Sequence, residues 1–412
     1  MNTEFSRRDV IKLGVAAAVG GSAAKLVGDE PAFPDNVRLA CESAFAALDR
    51  HLTGLVGKMR LDYGSGLRVW ASGNYSALWP DDFLYPLIVH PSFMKPEELT
   101  RLAALLADSI VDMDALPDRV EASGLPVMNP GAATGNPHGH RMPLHLPAAW
   151  TRLLDYFEAL GATLERKGEW AAAIRRGFDL VPFSCGLAYV NPQRPSVGFG
   201  FHDMAAITGF ELMSSLALYR GLQRAANLFD GVIGAEAVQR WNGLADKIKA
   251  SLHRLYDDDE GAFRAGSVDC RQVNVWGNGL AYWLVDKQKQ KRIADWYFQH
   301  RDRIFKCGYT RQIAEPNGWQ RQLVECPVGT YINGGFWSTG TGYVLPVLAR
   351  HYPDLAVELI RQLVENLPAH NFTEALSADG KGHSNLTFIT GVAMPMVGLK
   401  SILERRPLIA YF

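Results

Sequence analysis

Acidic, amide and tryptophan side chains gather in five short stretches of this chain, most with glycine or proline beside them. The first is Trp79-Pro80-Asp81-Asp82-Phe83, leading into the apolar run Leu84 to Val89. The second, Val197-Gly198-Phe199-Gly200-Phe201-His202-Asp203-Met204, leads into another. The third holds Asp269, Arg271, Gln272, Asn274 and Trp276 within eight residues. The fourth runs from Glu325 to Trp337 through Asn333-Gly334-Gly335, and the fifth is Asn371-Phe372-Thr373-Glu374-Ala375. A carboxyl in a tight apolar setting loses hydration, which raises its pKa and suits it to give up a proton as a general acid. Two such groups on opposite faces of a glycosidic bond are the usual requirement for cleaving it, one at the leaving oxygen and one as base or nucleophile. Flat aromatic faces and polar side chains of the kinds gathered here would hold the sugar.

Each cluster also has a structural reading. Asp81, Asp82 and Asp203 stand where a carboxylate caps a helix by accepting from exposed backbone amides. The stretch from Asp269 to Trp276 reads equally as a hydrogen-bonded network that fixes a loop. Asn333-Gly334-Gly335 lets the backbone approach a ligand closely. Glu374, taken alone, reads as a solvated loop glutamate. Asp257 to Gly261 lacks EF-hand spacing and reads as a solvated turn before a short strand, Ala262 to Ala265. His138, His140 and His145 match no metal-ligand spacing, and no metal is expected.

Helices must position these loops. Cys41, Phe45, Leu48, Leu52 and Leu55 form one apolar stripe. Leu99 to Ile110 forms another behind Pro96-Glu97-Glu98, and Leu355 to Leu363 a third behind Pro353-Asp354. Further helical periodicity covers 147–160, 163–177, 204–226, 233–255, 277–285, 289–303, 338–350 and 385–404, for ten to twelve helices in all. No linker, composition shift or sequence repeat divides residues 31–412, which predicts a single all-α domain.

Of 412 residues, 48% are hydrophobic and 21% charged, with a formal net charge of -1. That balance gives no footprint for nucleic acid or an anionic membrane surface. Five cysteines without a Cys-x-x-Cys favour buried thiols over a disulfide or zinc framework. No glycine-rich phosphate loop occurs, so no organic cofactor is expected. Ser6-Arg7-Arg8-Asp9-Val10-Ile11-Lys12, followed by the Ala- and Gly-rich stretch Leu13 to Ala24, reads as a twin-arginine signal over residues 1–30. That stretch is too short and too weakly apolar for stable membrane insertion. The expected location is periplasmic or secreted.

Taken in order, Trp79-Pro80-Asp81-Asp82, Gly200-Phe201-His202-Asp203, Asp269 to Trp276 and Asn333 to Trp337 resemble the inner-face loops of the six-hairpin glycosidase superfamily. The resemblance spans residues 70–400 and implies an (α/α)6 toroid with short β-hairpins in its loops. It implies Asp203 as general acid and Glu374 as base of an inverting hydrolase. It further implies that Trp79, Asp81, Asp82, His202, Asp269, Arg271, Glu325 and Asn333 hold the sugar while Trp276 and Trp337 stack on it. The chain departs from glucoamylase- and rhamnosidase-like members, which place Arg beside the early Asp where this chain has Pro80 and a second Asp. Toroids also host polysaccharide lyases, for which His202, Tyr331 and Arg194 would serve. Sugar epimerases would use His202, His370 and His383, and a non-catalytic carbohydrate-binding protein would keep only the aromatic platform.

Overall fold

The computed structural model describes residues 33–63, 66–70, 75–131, 138–139, 141–382 and 384–412. The twin-arginine segment, His140 and His383 lie outside the described residues. The helices are α1 (Asp35–Lys58), α2 (Pro80–Val89), α3 (Pro96–Ile110), α4 (Leu146–Ala159), α5 (Lys167–Leu180), α6 (Leu212–Leu228) and α7 (Ala235–Ser251). They continue as α8 (Val275–Ala281), α9 (Lys287–Gln299), α10 (Arg301–Ile304), α11 (Ser338–His351), α12 (Pro353–Ala369) and α13 (Thr390–Leu403).

Burial sorts twelve of them into two rings. Every residue of α8 is buried, and α2, α11 and α13 are buried nearly all round. By contrast α7 buries only Trp241, Ala245 and Ile248, the single apolar stripe of a helix with one face in water. The inner helices touch in a closed circuit, α2–α4–α6–α8–α11–α13 and back to α2. The outer ring is α1, α3, α5, α7, α9 and α12, and α1 closes the circle by packing on α12 and α13. This is an (α/α)6 toroid. The circuit is tight enough to require missing side chains: a Cβ on Gly342 of α11 would lie 2.2 Å from the Met394 carbonyl oxygen of α13. A Cβ on Gly398 would lie 2.5 Å from the Gly342 carbonyl oxygen.

Most predicted helices appear within a few residues, and α3 and α12 begin at Pro96 and Pro353 as their prolines predict. The helix expected from Met204 starts only at Leu212. Residues 209–210 instead pair with Tyr189 and Val190, and Glu211, not Asp203, caps the helix by accepting from the amides of Met213 and Ser214. The helix expected from 385 starts at Thr390.

The loops fold as small antiparallel sheets. Strand β1 (Arg60–Tyr63) pairs with β2 (Leu67–Trp70), and β3 (Ala77–Leu78) pairs with β4 (Arg119–Glu121), which pairs with β5 (Pro126–Val127). Strands β6 (Phe183–Ser184), β7 (Leu187–Val190) and β8 (Gly209–Phe210) form another sheet. The predicted strand after the acidic turn is β10 (Ala262–Phe263), paired with β9 (Tyr256–Asp257). A four-stranded sheet runs β11 (Phe305–Lys306), β12 (Tyr309–Arg311), β13 (Phe336–Trp337) and β14 (Ala375–Leu376). All five cysteines are free thiols, and no helix among the described residues is long and apolar enough to cross a membrane.

Candidate active site

The loops that enter the inner helices surround a cleft of about 450 Å³. Trp79, Asp81 and Asp82 reach it from the start of α2, His145 and Leu146 from the start of α4, and Phe388 from just before α13. Tyr75, Asp118, Arg119, Asp203, Tyr331 and Glu374 complete its polar wall.

Glu374 is brought in by strained backbone. After α12 the chain places Asn371 and Phe372 in the left-handed region (φ 51° and 53°), then pairs Trp337 with Ala375. Neither residue is glycine, and a bond network fixes the turn: the amides of Phe372 and Thr387 donate to the Leu367 and Asn371 carbonyls. Glu374 is only 4% exposed, so the solvated-glutamate reading is excluded. Burial, with the charges of Asp82 and Asp203 added, pushes its carboxyl well above the usual range. The Tyr75 hydroxyl lies 3.4 Å from its Oε2, with Tyr331 beside Tyr75. Tyr331 itself has φ 41°, another strained position at the cleft wall.

Asp203 ends a short turn, Gly200–His202, that projects from the glycine-rich loop. A Cβ on Gly198 would lie 3.1 Å from the Glu211 carboxylate, and one on Gly200 would lie 3.1 Å from the His145 ring. Glycine is therefore what lets this loop slip between two side chains and present Asp203. The His138 ring nitrogen sits 3.4 Å from the Asp203 carboxylate, which raises the histidine pKa.

The adjacent aspartates of α2 do different work, and neither caps the helix, whose N-cap residue is Trp79. Asp81 is ion-paired with Arg152 and lies 3.5 Å from His145. Burial alone would raise its carboxyl, but those two partners prevail and hold it at about 2. Asp82 accepts from Thr390 and, among surrounding carboxylates, is pushed up to about 7 by burial. Trp79 stands between an acceptor and a cation: its indole N–H donates to Asp118 at 3.0 Å, and the Arg119 guanidinium lies 5.1 Å from its ring centre. Burial pushes Asp118 up to about 6, against the pull of Arg119.

Asp203, Glu374, Trp79, Asp81 and Asp82 are thus brought together, and the other expected sugar contacts are not. Trp276 and Trp337 have no exposed surface; they pack at 5.9 Å on each other and support the cleft from behind, Trp276 through Phe201 and Trp337 through Phe201, Tyr331 and Phe388. Trp276 sits in α8, every residue of which is buried, and Trp337 lies in β13 at the entry to α11, so both belong to the core. His202 is buried against Trp276 and Trp319, with its pKa lowered to about 3 by burial. Asn333 fixes a turn by accepting from the Trp319 amide and donating to the Cys326 carbonyl. Asp269 accepts from Thr208 at 2.6 Å and from Arg321 at 2.7 Å, the loop-fixing network that was its structural reading. Arg271 lines a different pocket, and Glu325 is exposed outside the cleft. Of the lyase set only Tyr331 lines the cleft. Neither His202 nor His370, the described members of the epimerase set, does so. The sequence reading missed Tyr75, Asp118 and Arg119; Asp118-Arg119 lies in a stretch with no glycine or tryptophan to mark it, and pairing of β3 with β4 brings it to Trp79.

No protein-family model matches the sequence, and no curated protein matches it. Solved structures share the fold. A GH63 mannosylglycerate hydrolase from Thermus thermophilus, in complex with glucose, superposes with a TM-score of 0.56 at 13% identity, over 85% of this chain and 99% of that one. A rhamnosidase from Klebsiella oxytoca with rhamnose bound gives 0.57 at 14% identity, over 92% and 66%. A sugar epimerase from a ruminal bacterium gives 0.55 at 12% identity, over 87% and 98%.

Proposed function

We propose that this protein is a glycoside hydrolase that cleaves an O-glycosidic bond of an oligo- or polysaccharide by single displacement with inversion. The observation that carries the reading is the meeting of Asp203 and Glu374 in one tyrosine- and tryptophan-lined cleft at the mouth of a toroid. Asp203 gives its proton to the leaving oxygen as the carbon–oxygen bond breaks. Glu374 takes a proton from the water that attacks the opposite face, and the two protons balance. Burial holds Glu374 toward its protonated form, and the hydrogen bond from Tyr75 favours the ionised form that the acceptor role needs. Trp79, Asp82 and the Asp118–Arg119 pair would hold the sugar, and Asp81, locked to Arg152, would hold the wall. Hydrolase neighbours on the same fold support this reading. The epimerase reading is less apt, because neither His202 nor His370, the described members of the histidine set expected for it, lines this cleft.

The test is incubation of the purified protein with plant and microbial oligosaccharides, followed by chromatography and mass. Products carrying one added water per bond, and their loss in Asp203→Asn and Glu374→Gln at unchanged folding, are expected. Products without added water would replace hydrolysis by elimination or isomerisation. The Ser6–Lys12 motif supports export by the twin-arginine route, and a periplasmic location abolished by Arg7→Lys with Arg8→Lys would test it.

A further inference from the structure

A second pocket, of about 430 Å³, lies among Arg264, Arg271, Gln272, Trp296, His300, Arg303 and Glu315 and shares no lining residue with the cleft. Its walls come from the loops that lead into α8 and α11 and from the end of α9, so it opens on the same end of the toroid as the cleft. Arg271, which the sequence placed with the cleft, belongs here.

The pocket holds hydrogen-bonding groups of both kinds that the protein does not use. Glu315 Oε2 and Gln272 Oε1 are buried acceptors with no partner, although Gln272 donates its amide N–H to the Gly318 carbonyl at 3.1 Å. Such groups are costly unless something donates to them. On the donor side, Arg264 is tied to Asp257, whereas Arg271 and Arg303 stand exposed with no carboxylate partner among the described residues. His300 stacks on Trp296 with ring centres 4.3 Å apart, and its Nδ1–H donates to the Trp296 carbonyl, which leaves Nε2 as an acceptor when the ring is neutral.

Formal charges in the pocket cancel: Asp257, Glu260 and Glu315 face Arg264, Arg271 and Arg303. An anionic ligand would satisfy the arginines and leave Glu315 and Gln272 unmet, and a cationic ligand would do the reverse. A hydroxyl donates and accepts at once. We infer that this pocket is an accessory saccharide-binding site, outside the cleft, that takes a neutral, hydroxyl-rich sugar unit. Only the idea that the ligand is the enzyme's own polysaccharide rests on the proposed hydrolase reading.

The test is calorimetric titration of the full chain carrying Glu374→Gln with glucose, mannose, rhamnose, maltohexaose and mannohexaose. Glu315→Ala and Arg303→Ala are then added singly, with circular dichroism as the check on folding. The expected result is a site whose affinity falls at least tenfold in both variants, while the same substitutions in the wild-type background leave turnover of a short substrate unchanged. Isotherms that neither substitution alters, or no binding of any of these sugars outside the cleft, would overturn the inference. Loss of binding in these variants in a protein that hydrolyses nothing would sink the hydrolase reading alone. Hydrolysis with no such binding would sink the accessory site alone.

Discussion

The Tyr75 hydroxyl reaches Glu374 Oε2 at 3.4 Å, across 299 positions of sequence. It couples the loop that precedes β3 to the residue that precedes β14, so two loops of the cleft are registered through one proton donor. Burial and nearby carboxylates keep the phenol neutral, and a neutral phenol donates. That bond favours the ionised form of Glu374 and partly offsets the upward push of burial. Tyr75→Phe therefore raises the Glu374 pKa further. A base works only when ionised, so the acidic limb of kcat/KM moves to higher pH, and activity at neutral pH falls about tenfold for a bond of ~1.5 kcal/mol. A pH–rate profile with an unmoved acidic limb would remove Tyr75 from the mechanism.

The two carboxyls have separable signatures. Loss of either group costs roughly 10²–10⁴-fold on a natural substrate. An activated leaving group, such as a nitrophenolate, departs without a proton, so Asp203→Asn should recover most of its rate on an aryl glycoside. Glu374→Gln should not, because the water still needs a base. The measurement is kcat on paired natural and aryl substrates, and the reverse pattern would exchange the two roles.

Asp82 makes the fold pay for the cleft. Its carboxyl sits at about 7, against an ordinary value of 3.8. Between those values the folded protein holds a proton that the unfolded chain has lost, so this group's contribution to stability declines as pH rises from 3.8 to about 7. Asp82→Asn removes the penalty. The variant should gain in Tm over wild type at pH 8 and lose that gain at pH 4, while its activity drops. Equal Tm differences at both pH values would show that Asp82 is solvated in the folded protein.

How much of this was legible beforehand depended on what a residue's neighbours in sequence reveal. Pro96 and Pro353 announce their helices because their missing N–H and fixed φ act locally. Asp81, Asp82, Asp203 and Glu374 stood out through glycine, proline or aromatic neighbours, and the cleft collects all four. The six-fold pairing of helices left no sequence repeat, since each inner helix need only be apolar all round and small where it touches the next, as at Gly342 and Gly398. Asp118 and Arg119 escaped notice because pairing with β3 brings them to Trp79, and register is set by tertiary contact. Asp269 and Arg271 show the converse: side chains suited to binding sugar that long-range partners, Thr208 and Arg321, or a separate pocket claim instead.

The tryptophans give the sharpest contrast between a residue that shapes the cleft and one that meets its contents. Trp276 lies flat against Tyr343, with ring centres 5.6 Å apart, and is fully buried in the inner ring. Replacing so large a buried side chain leaves a cavity between α8 and α11 and costs about 3–5 kcal/mol. Trp276→Ala should lower Tm sharply and reduce kcat only as the folded fraction falls. Trp79 lines the cleft with its indole N–H committed to Asp118. Trp79→Ala releases that carboxyl and removes an aromatic surface from the wall, so KM rises by roughly 10-fold or more while Tm changes far less. Thermal melts and saturation kinetics on both variants separate the two roles. A Trp276→Ala protein that melts like wild type but loses sugar affinity would return Trp276 to the binding face.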